Sequence, residues 1–243
     1  CTKGHPGMTG QTQRWLAFDT STESLSIGLT VGGHSDVRTL AGGAQSSVTL
    51  IPTAMEMLAQ AGVGLSQLDA IVFGRGPGSF TGLRTACAVA QGLAFGADIP
   101  VLPVDTLLAV AEQARALVGL DEQPLTVLAL LDARMDEVYG AAYDWNGQRW
   151  APRTPVQVGA PQHFALPDAP RVLLAGNVFG VYGERLPLGE RVQALPTAAA
   201  LLRLAPALWA TGQAVPAEQA MPLYVRDKVA QTTAERAAAK GAT

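Results

Sequence analysis

Two short stretches hold the residue types from which chemistry could be built. Asp19, Thr20, Ser21 and Thr22 place a carboxylate and three hydroxyls at the end of an apolar run, where a metal-bound phosphate could be met. The segment 74–84, GRGPGSFTGLR, joins the strand-like run 69–73 to an Ala/Gly-rich helical run. Its glycines permit positive φ or close backbone approach, Pro77 fixes its own φ, and Ser79 or Thr81 is placed to cap the following helix. A helix N-terminus behind glycines can hold an anion. The P-loop pattern, however, requires Lys and then Ser or Thr after its second glycine, and the dinucleotide fingerprint requires G-x-G-x-x-G. Gly76, Gly78 and Gly82 are spaced one residue too long for the fingerprint, and the segment has no lysine. A structural corner is therefore the preferred reading over a phosphate loop.

For residues 19–22 two readings stay open, a phosphate site or a turn closed by Asx and Ser/Thr side chains. Asp132, Ala133 and Arg134 stand at the equivalent place in the second half of the chain. An actin-like ATPase would offer Asp-x-Gly and further hydroxyls there, so 132–134 reads as a turn, with Arg134 pairing a carboxylate. Phosphoryl transfer also needs a metal-supporting acid and a group that orients the nucleophile, and neither can be placed. His5, His34 and His163 share no metal-ligand spacing and make no credible triad. Cys87, among Ala86, Ala88 and Ala90, reads as a buried thiol.

The elements that must position these groups follow from periodicity. Strands are expected at 15–18, ending at Asp19, at 25–31 and, through a Gly32-Gly33 hairpin, near 35–40. Ser46 or Ser47 is expected to cap a helix to about Ala61, bent near Pro52, with Val48, Ile51, Met55 and Leu58 on one face. Strand 70–73, helix 81–97, strand 101–104 and helix 105–118 complete a first unit. A second unit echoes it, with strands over 126–131 and 137–143, a type I′ turn at Asn146-Gly147, strand 171–175, a helical segment from about 178 and helix 197–211. This describes an α/β fold with a mixed sheet, duplicated, with a cleft between the units.

The helix 81–97 carries two stripes. Leu83, Ala86 or Cys87, Ala90 and Leu93 form an apolar one; Thr85, Ala88, Gly92 and Gly96 form one of small residues. Two faces call for two partners, and the second partner is either the helix 47–61 of the same chain or another subunit.

Composition narrows the class. The 243 residues are 48% hydrophobic but only 6% aromatic, so the core must rely on Ala, Val and Leu and on close backbone packing. The net charge of −3 argues against a chain that binds nucleic acid unaided. The two cysteines, Cys1 and Cys87, and the lack of any run long enough to span a bilayer lead to the expectation of a cytoplasmic, reduced protein. Residues 1–13 read as a tail containing Met8 as the original start, and 231–243 as a frayed end.

Four segments together, AFDTSTE (17–23), GPGSFTGLR (76–84), LDARMDEVY (131–139) and PLYVR (222–226), resemble the bacterial TsaB (YeaZ) proteins, and the likeness spans Trp15 to Ala230. Those proteins act in making the threonylcarbamoyl modification of the tRNA adenosine beside the anticodon. The resemblance implies an actin-like (ASKHA, ribonuclease H-like) fold of two duplicated lobes, 14–118 and 119–230. It implies a non-catalytic subunit that binds no cofactor or metal and meets tRNA only through its complex. The partners it implies are the catalytic paralogue TsaD and the ATPase TsaE, with a homodimer possible through the same helices. On that reading the interface comprises Val48, Ile51, Met55, Thr85, Ala88, Val89, Gly92, Phe95 and Gly96, while Asp19, Thr20, Ser21 and Thr22 are vestigial. The family commonly has histidine near the start of the first of these helices; Gln45-Ser46 stand there instead. The alternative is a stand-alone ATP-binding or peptidase-like enzyme of the same fold.

Overall fold

The computed structural model describes residues 13–226. The expectations for Cys1, His5, Met8, the first twelve residues and the C-terminal end 231–243 lie outside the described residues.

Five strands, β1 (Trp15–Asp19), β2 (Ser24–Val31), β3 (His34–Ala41), β4 (Ala70–Gly76) and β5 (Val101–Asp105), form a first sheet in the order β3-β2-β1-β4-β5. The pairs β1–β2 and β2–β3 are antiparallel, β1–β4 and β4–β5 parallel. Helices α1 (Ser46–Ala61), α2 (Phe80–Ala97) and α3 (Thr106–Leu117) follow β3, β4 and β5. The second sheet repeats the plan with β6 (Leu125–Arg134), β7 (Glu137–Trp145), β8 (Trp150–Pro152), β10 (Val172–Gly176) and β11 (Glu190–Gln193), while β9 (Gln157–Gly159) pairs with β7. Here too the first two pairings are antiparallel and the last two parallel. The helix corresponding to α2 shrinks to α4 (Phe179–Tyr182), and α5 (Ala198–Ala210) corresponds to α3. This is the actin-like, ribonuclease H-like fold in two lobes.

Strand alternation decides which layer each residue joins. On β1 and β4, Leu16, Phe18, Ile71 and Phe73 point to the cluster under α1 and α2. Their neighbours Trp15, Ala17, Ala70 and Val72 point to α5. Both faces are covered, which is why β1 and β4 read as continuous apolar runs. In the second sheet Val127, Ala129 and Leu131 pack with α3, and Leu128 and Leu130 pack with α4, Phe164 and Leu166. The closing helices are thus exchanged: α3 packs on the second sheet and α5 on the first.

Between α3 and α5 sits a buried carboxylate. Glu112, 2% exposed, receives Arg115 Nη2 and Arg203 Nε on Oε1 at 2.9 and 2.7 Å. Its Oε2 receives Arg115 Nε and Trp150 Nε1, both at 2.9 Å. Burial alone would raise its pKa, but the bonds from Arg115, Trp150 and Arg203 outweigh burial and hold it below the usual range.

Several expectations are corrected. Ser46 and Ser47 do not cap α1: Gln45 is the capping residue, and Ser47 Oγ donates to Ala44 O. Of the four residues read onto one face of α1, only Leu58 departs: it is buried with Leu50, Ala54 and Met57, while Val48, Ile51 and Met55 lie together on the exposed side. Ser79 occupies the N-cap position of α2 but makes no side-chain cap bond. The hairpin at Asn146-Gly147 is no two-residue type I′ turn. Only Gly147 has positive φ, and Asn146 Oδ1 accepts the Gln148 and Arg149 amides across a longer loop. The short strands β9 and β11 had no predicted counterpart, and β8 was implied only as the second arm of the hairpin at Asn146-Gly147.

Removing the carboxylate strands Arg115 in the interior, so Glu112→Ala is expected to lose about 3–5 kcal/mol of stability in urea unfolding. Glu112→Gln loses less and, because a depressed carboxylate pKa stabilises only above its unfolded value, flattens the fall in stability on the acid side. A loss below about 1 kcal/mol for Glu112→Ala would contradict this role.

Candidate functional site

The end of β1 and the corner between β4 and α2 are pressed into one another. Asp19, Thr20 and Ser21 are all buried. Asp19 Oδ1 accepts the Ser21 amide at 2.8 Å and the Ser21 hydroxyl at 2.6 Å, closing an Asx turn. Thr106 Oγ1 donates to Asp19 Oδ2 at 3.5 Å and accepts the Gly76 amide at 3.1 Å. Thr20 Oγ1 donates to Gly82 O at 2.7 Å, and the Ser79 amide donates to Ser21 O at 2.8 Å.

The glycines are what allow this contact. A Cβ on Gly74 would collide with the Asp19 carboxylate, and one on Gly82 with Thr20 O. One on Gly78 would lie 2.6 Å from Ser21 Cβ and 2.7 Å from Ser21 O. The segment is therefore a corner whose glycines receive the β1 turn, and the hydroxyls and carboxylate of residues 19–21 are engaged inside it. Thr22 lies at the surface of the turn, where its Oγ1 accepts the Ser24 amide at 3.3 Å.

Burial away from water pushes the Asp19 carboxyl up to about 6, against the opposing bonds from Ser21 and Thr106. Between the ordinary value of 3.8 and about 6, the folded protein holds a proton that the unfolded chain releases.

The second lobe keeps the same local device. Asp132 Oδ1 accepts the Arg134 amide two residues on, at 2.9 Å, and the Tyr182 hydroxyl at 3.0 Å. Arg134, Met135 and Asp136 then turn with φ of 61, 55 and 63°. Arg134 reaches across to Glu23 at 2.6 Å and lies 3.4 Å from Asp132. Between the two turns lies a cleft of about 360 Å³, also lined by Leu83, Tyr139, Asn177 and the segment 223–226.

The residues expected at an interface lie away from this cleft. Val48 (72%), Ile51 (41%), Met55 (46%) and Phe95 (76%) are exposed, as are Ala88, Gly92 and Gly96, with Thr85 and Val89 half-buried. A Cβ on Gly92 or Gly96 would meet nothing within 4 Å. The opposite side of α2, with Leu83, Ala86, Cys87 and Ala90, is buried. Sequence reasoning missed Thr106, which supports Asp19 from a helix start with no motif around it, and Glu23 as the acceptor for Arg134. Among the described residues no three His, Cys, Asp or Glu side chains are grouped as a metal site, and no helix is long and apolar enough to cross a membrane.

Residues 41–178 match the family described as TsaD, tRNA N6-adenosine threonylcarbamoyltransferase. The Haemophilus influenzae protein named tRNA threonylcarbamoyladenosine biosynthesis protein TsaB is 36% identical over 227 residues, covering 88% of this chain and 94% of that protein. Its Escherichia coli namesake is 34% identical over 230 residues, covering 89% and 96%. A solved structure of YeaZ from Pseudomonas aeruginosa superposes with a TM-score of 0.80 at 41% identity, covering 87% of this chain and 99% of that one.

Replacing Asp19 by Asn keeps the shape and removes the buried charge. A raised carboxyl pKa means stability present at low pH and lost as pH rises from 3.8 to about 6, a loss of about 3 kcal/mol by neutral pH. Melting curves are expected to show Asp19→Asn gaining on the parent protein between pH 4 and pH 7; a constant gap would refute the assignment.

Proposed function

Since the chain belongs to the TsaB (YeaZ) family, we propose that it serves tRNA threonylcarbamoyladenosine biosynthesis as a non-catalytic subunit that pairs with a TsaD-type transferase and works with a TsaE-type ATPase. One observation carries the reading: the groups that would grip phosphate in an actin-like enzyme are spent on the protein itself. Both Asp19 oxygens are bonded, by Ser21 and by Thr106 at the start of α3, and the Thr20 and Ser21 hydroxyls and the Ser79 amide all donate within the chain. In the second lobe Arg134 is paired with Glu23 and Asp132. The competing reading, a stand-alone ATP-binding or peptidase-like enzyme, needs those groups free for a substrate.

The partner surface in this proposal is the exposed side of α1 and α2. Val48, Ile51, Met55 and Phe95 supply apolar area, and Thr85, Ala88, Val89, Gly92 and Gly96 form a low ridge over which another helix can approach closely. Exposed apolar patches of this kind mark association sites, and Gly92 and Gly96 have no packing role inside the chain. The same surface serves a homodimer when the catalytic partner is absent. Contact with tRNA is made through the complex, in keeping with the net charge of −3.

Reconstituted modification with TsaD, TsaE and the enzyme that supplies threonylcarbamoyl-adenylate is expected to depend on this chain. The purified chain is expected to show no carbamoyl transfer and negligible ATP hydrolysis; robust hydrolysis abolished by Asp19→Ala would establish the enzyme reading instead. Because position 92 is open and Leu is a better helix former than Gly, Gly92→Leu should fold normally. It is expected to weaken TsaD binding at least about tenfold in sedimentation, equivalent to about 1.4 kcal/mol, and unchanged affinity would move the interface elsewhere.

A further inference from the structure

The chain crosses back over the mouth of the cleft after α5, and its contacts there reach both lobes. On the first lobe, Cys87 Sγ donates to Ala220 O at 3.2 Å, and the Leu223 amide donates to Arg75 O at 2.7 Å. Gly76, with φ of +122°, has no room for a side chain, because Leu223 O would stand 2.7 Å from its Cβ. The Tyr224 ring packs on Phe80 with centroids 5.2 Å apart, while Arg84 stacks over Phe80 at 3.8 Å and donates to the Tyr224 hydroxyl at 3.3 Å. On the second lobe, Arg226 donates to Ala133 O at 3.2 Å and pairs with Glu137 on the β6–β7 hairpin.

We propose that residues 220–226 are a strap that holds the two lobes closed across the cleft. On the far side the lobes are joined by the exchanged helices α3 and α5, a broad and largely buried contact suited to act as a hinge. On the open side, the Glu23–Arg134 pair has side chains 80% and 69% exposed and contributes little. Arg226, with a 17% exposed side chain, is the strap's hold on the second lobe, and the Leu223–Arg75 bond and the Tyr224–Phe80 contact fix the strap on the first, so the strap is the better-sheltered link on this side. Three of its first-lobe anchors, Phe80, Arg84 and Cys87, belong to α2, so seating of the strap is felt by that helix. Release of Tyr224 and Arg226 frees the β6–β7 hairpin to swing from the corner about α3 and α5.

The test is an inter-lobe distance in the 243-residue chain. Spin labels at Thr39→Cys on β3 and Leu188→Cys on the second lobe, both exposed positions, are placed in a Cys1→Ser background, with Cys87 buried and left in place. The parent is expected to give a single narrow distance distribution. A Tyr224→Ala, Arg226→Gln double variant is expected to add a population at longer distance, and amide exchange at residues 134–137 rises about tenfold while α3 and α5 amides stay protected. Arg226→Gln alone, which leaves only the part-exposed Glu137 unpaired, is read in the same way and covers failure of the double variant to fold. A distribution unchanged in either folded variant, whether or not the melting temperature falls, would overturn the strap.

Discussion

The contact on which the architecture depends is the seating of the Asp19–Ser21 turn in the glycine corner between β4 and α2. Two backbone segments far apart in sequence approach so closely that no side chain fits at Gly74, Gly78 or Gly82. Each polar group brought inside is matched: the Asp19 oxygens by Ser21 and Thr106, the Thr20 hydroxyl by Gly82 O, and Ser21 O by the Ser79 amide. Buried polar groups without such partners would each cost on the order of 1–3 kcal/mol. The corner thus fixes where α2 begins and how it lies on the sheet, and through α2 which stripe of residues faces outward.

The same contact engages, within the chain, the groups of residues 19–21. An anion-binding helix start needs free amides and an open approach, and here the Ser79 amide is already committed to Ser21 O. The second lobe diverges differently. It keeps the Asp132 turn, but its positive-φ tip presents Arg134, which crosses the cleft to Glu23. The two lobes therefore share strand order and the Asx turns of Asp19 and Asp132, while the side chains around those turns differ.

Exchange of α3 and α5 between the sheets makes the two lobes mutually dependent, because each sheet completes its second face with a helix that follows the other. Glu112 gives that helix pair a polar centre in which four donors converge on one carboxylate. A matched buried network of this kind selects one packing arrangement rather than adding much net stability.

Most strands and helices were legible in sequence because they depend on local pattern: β1, β2, β4, β6, β7 and α2, α3 and α5 lie within a few residues of the periodicity reading. The duplicated plan was legible too, in the two strands carrying Asp19 and Asp132. Short strands such as β9 and β11 were not, since three or four part-exposed residues carry too little periodicity. Capping at Ser46 failed because the turn 43–45 runs straight into α1, with the Ser46 amide donating to Gly43 O, and Ser79, at the N-cap position of α2, makes no side-chain cap bond. On α2 the apolar stripe read from the sequence is the buried face, but on α1 apolar residues occur on two faces, and periodicity cannot rank them. Only packing assigned Leu50, Ala54 and Met57 inward and Val48, Ile51 and Met55 outward. Likewise the glycine spacing in sequence excluded the known phosphate loops, but what fills the corner was decided by tertiary structure. The reason is that close approach is a property of two segments together, and the turn that enters the corner lies more than fifty residues upstream.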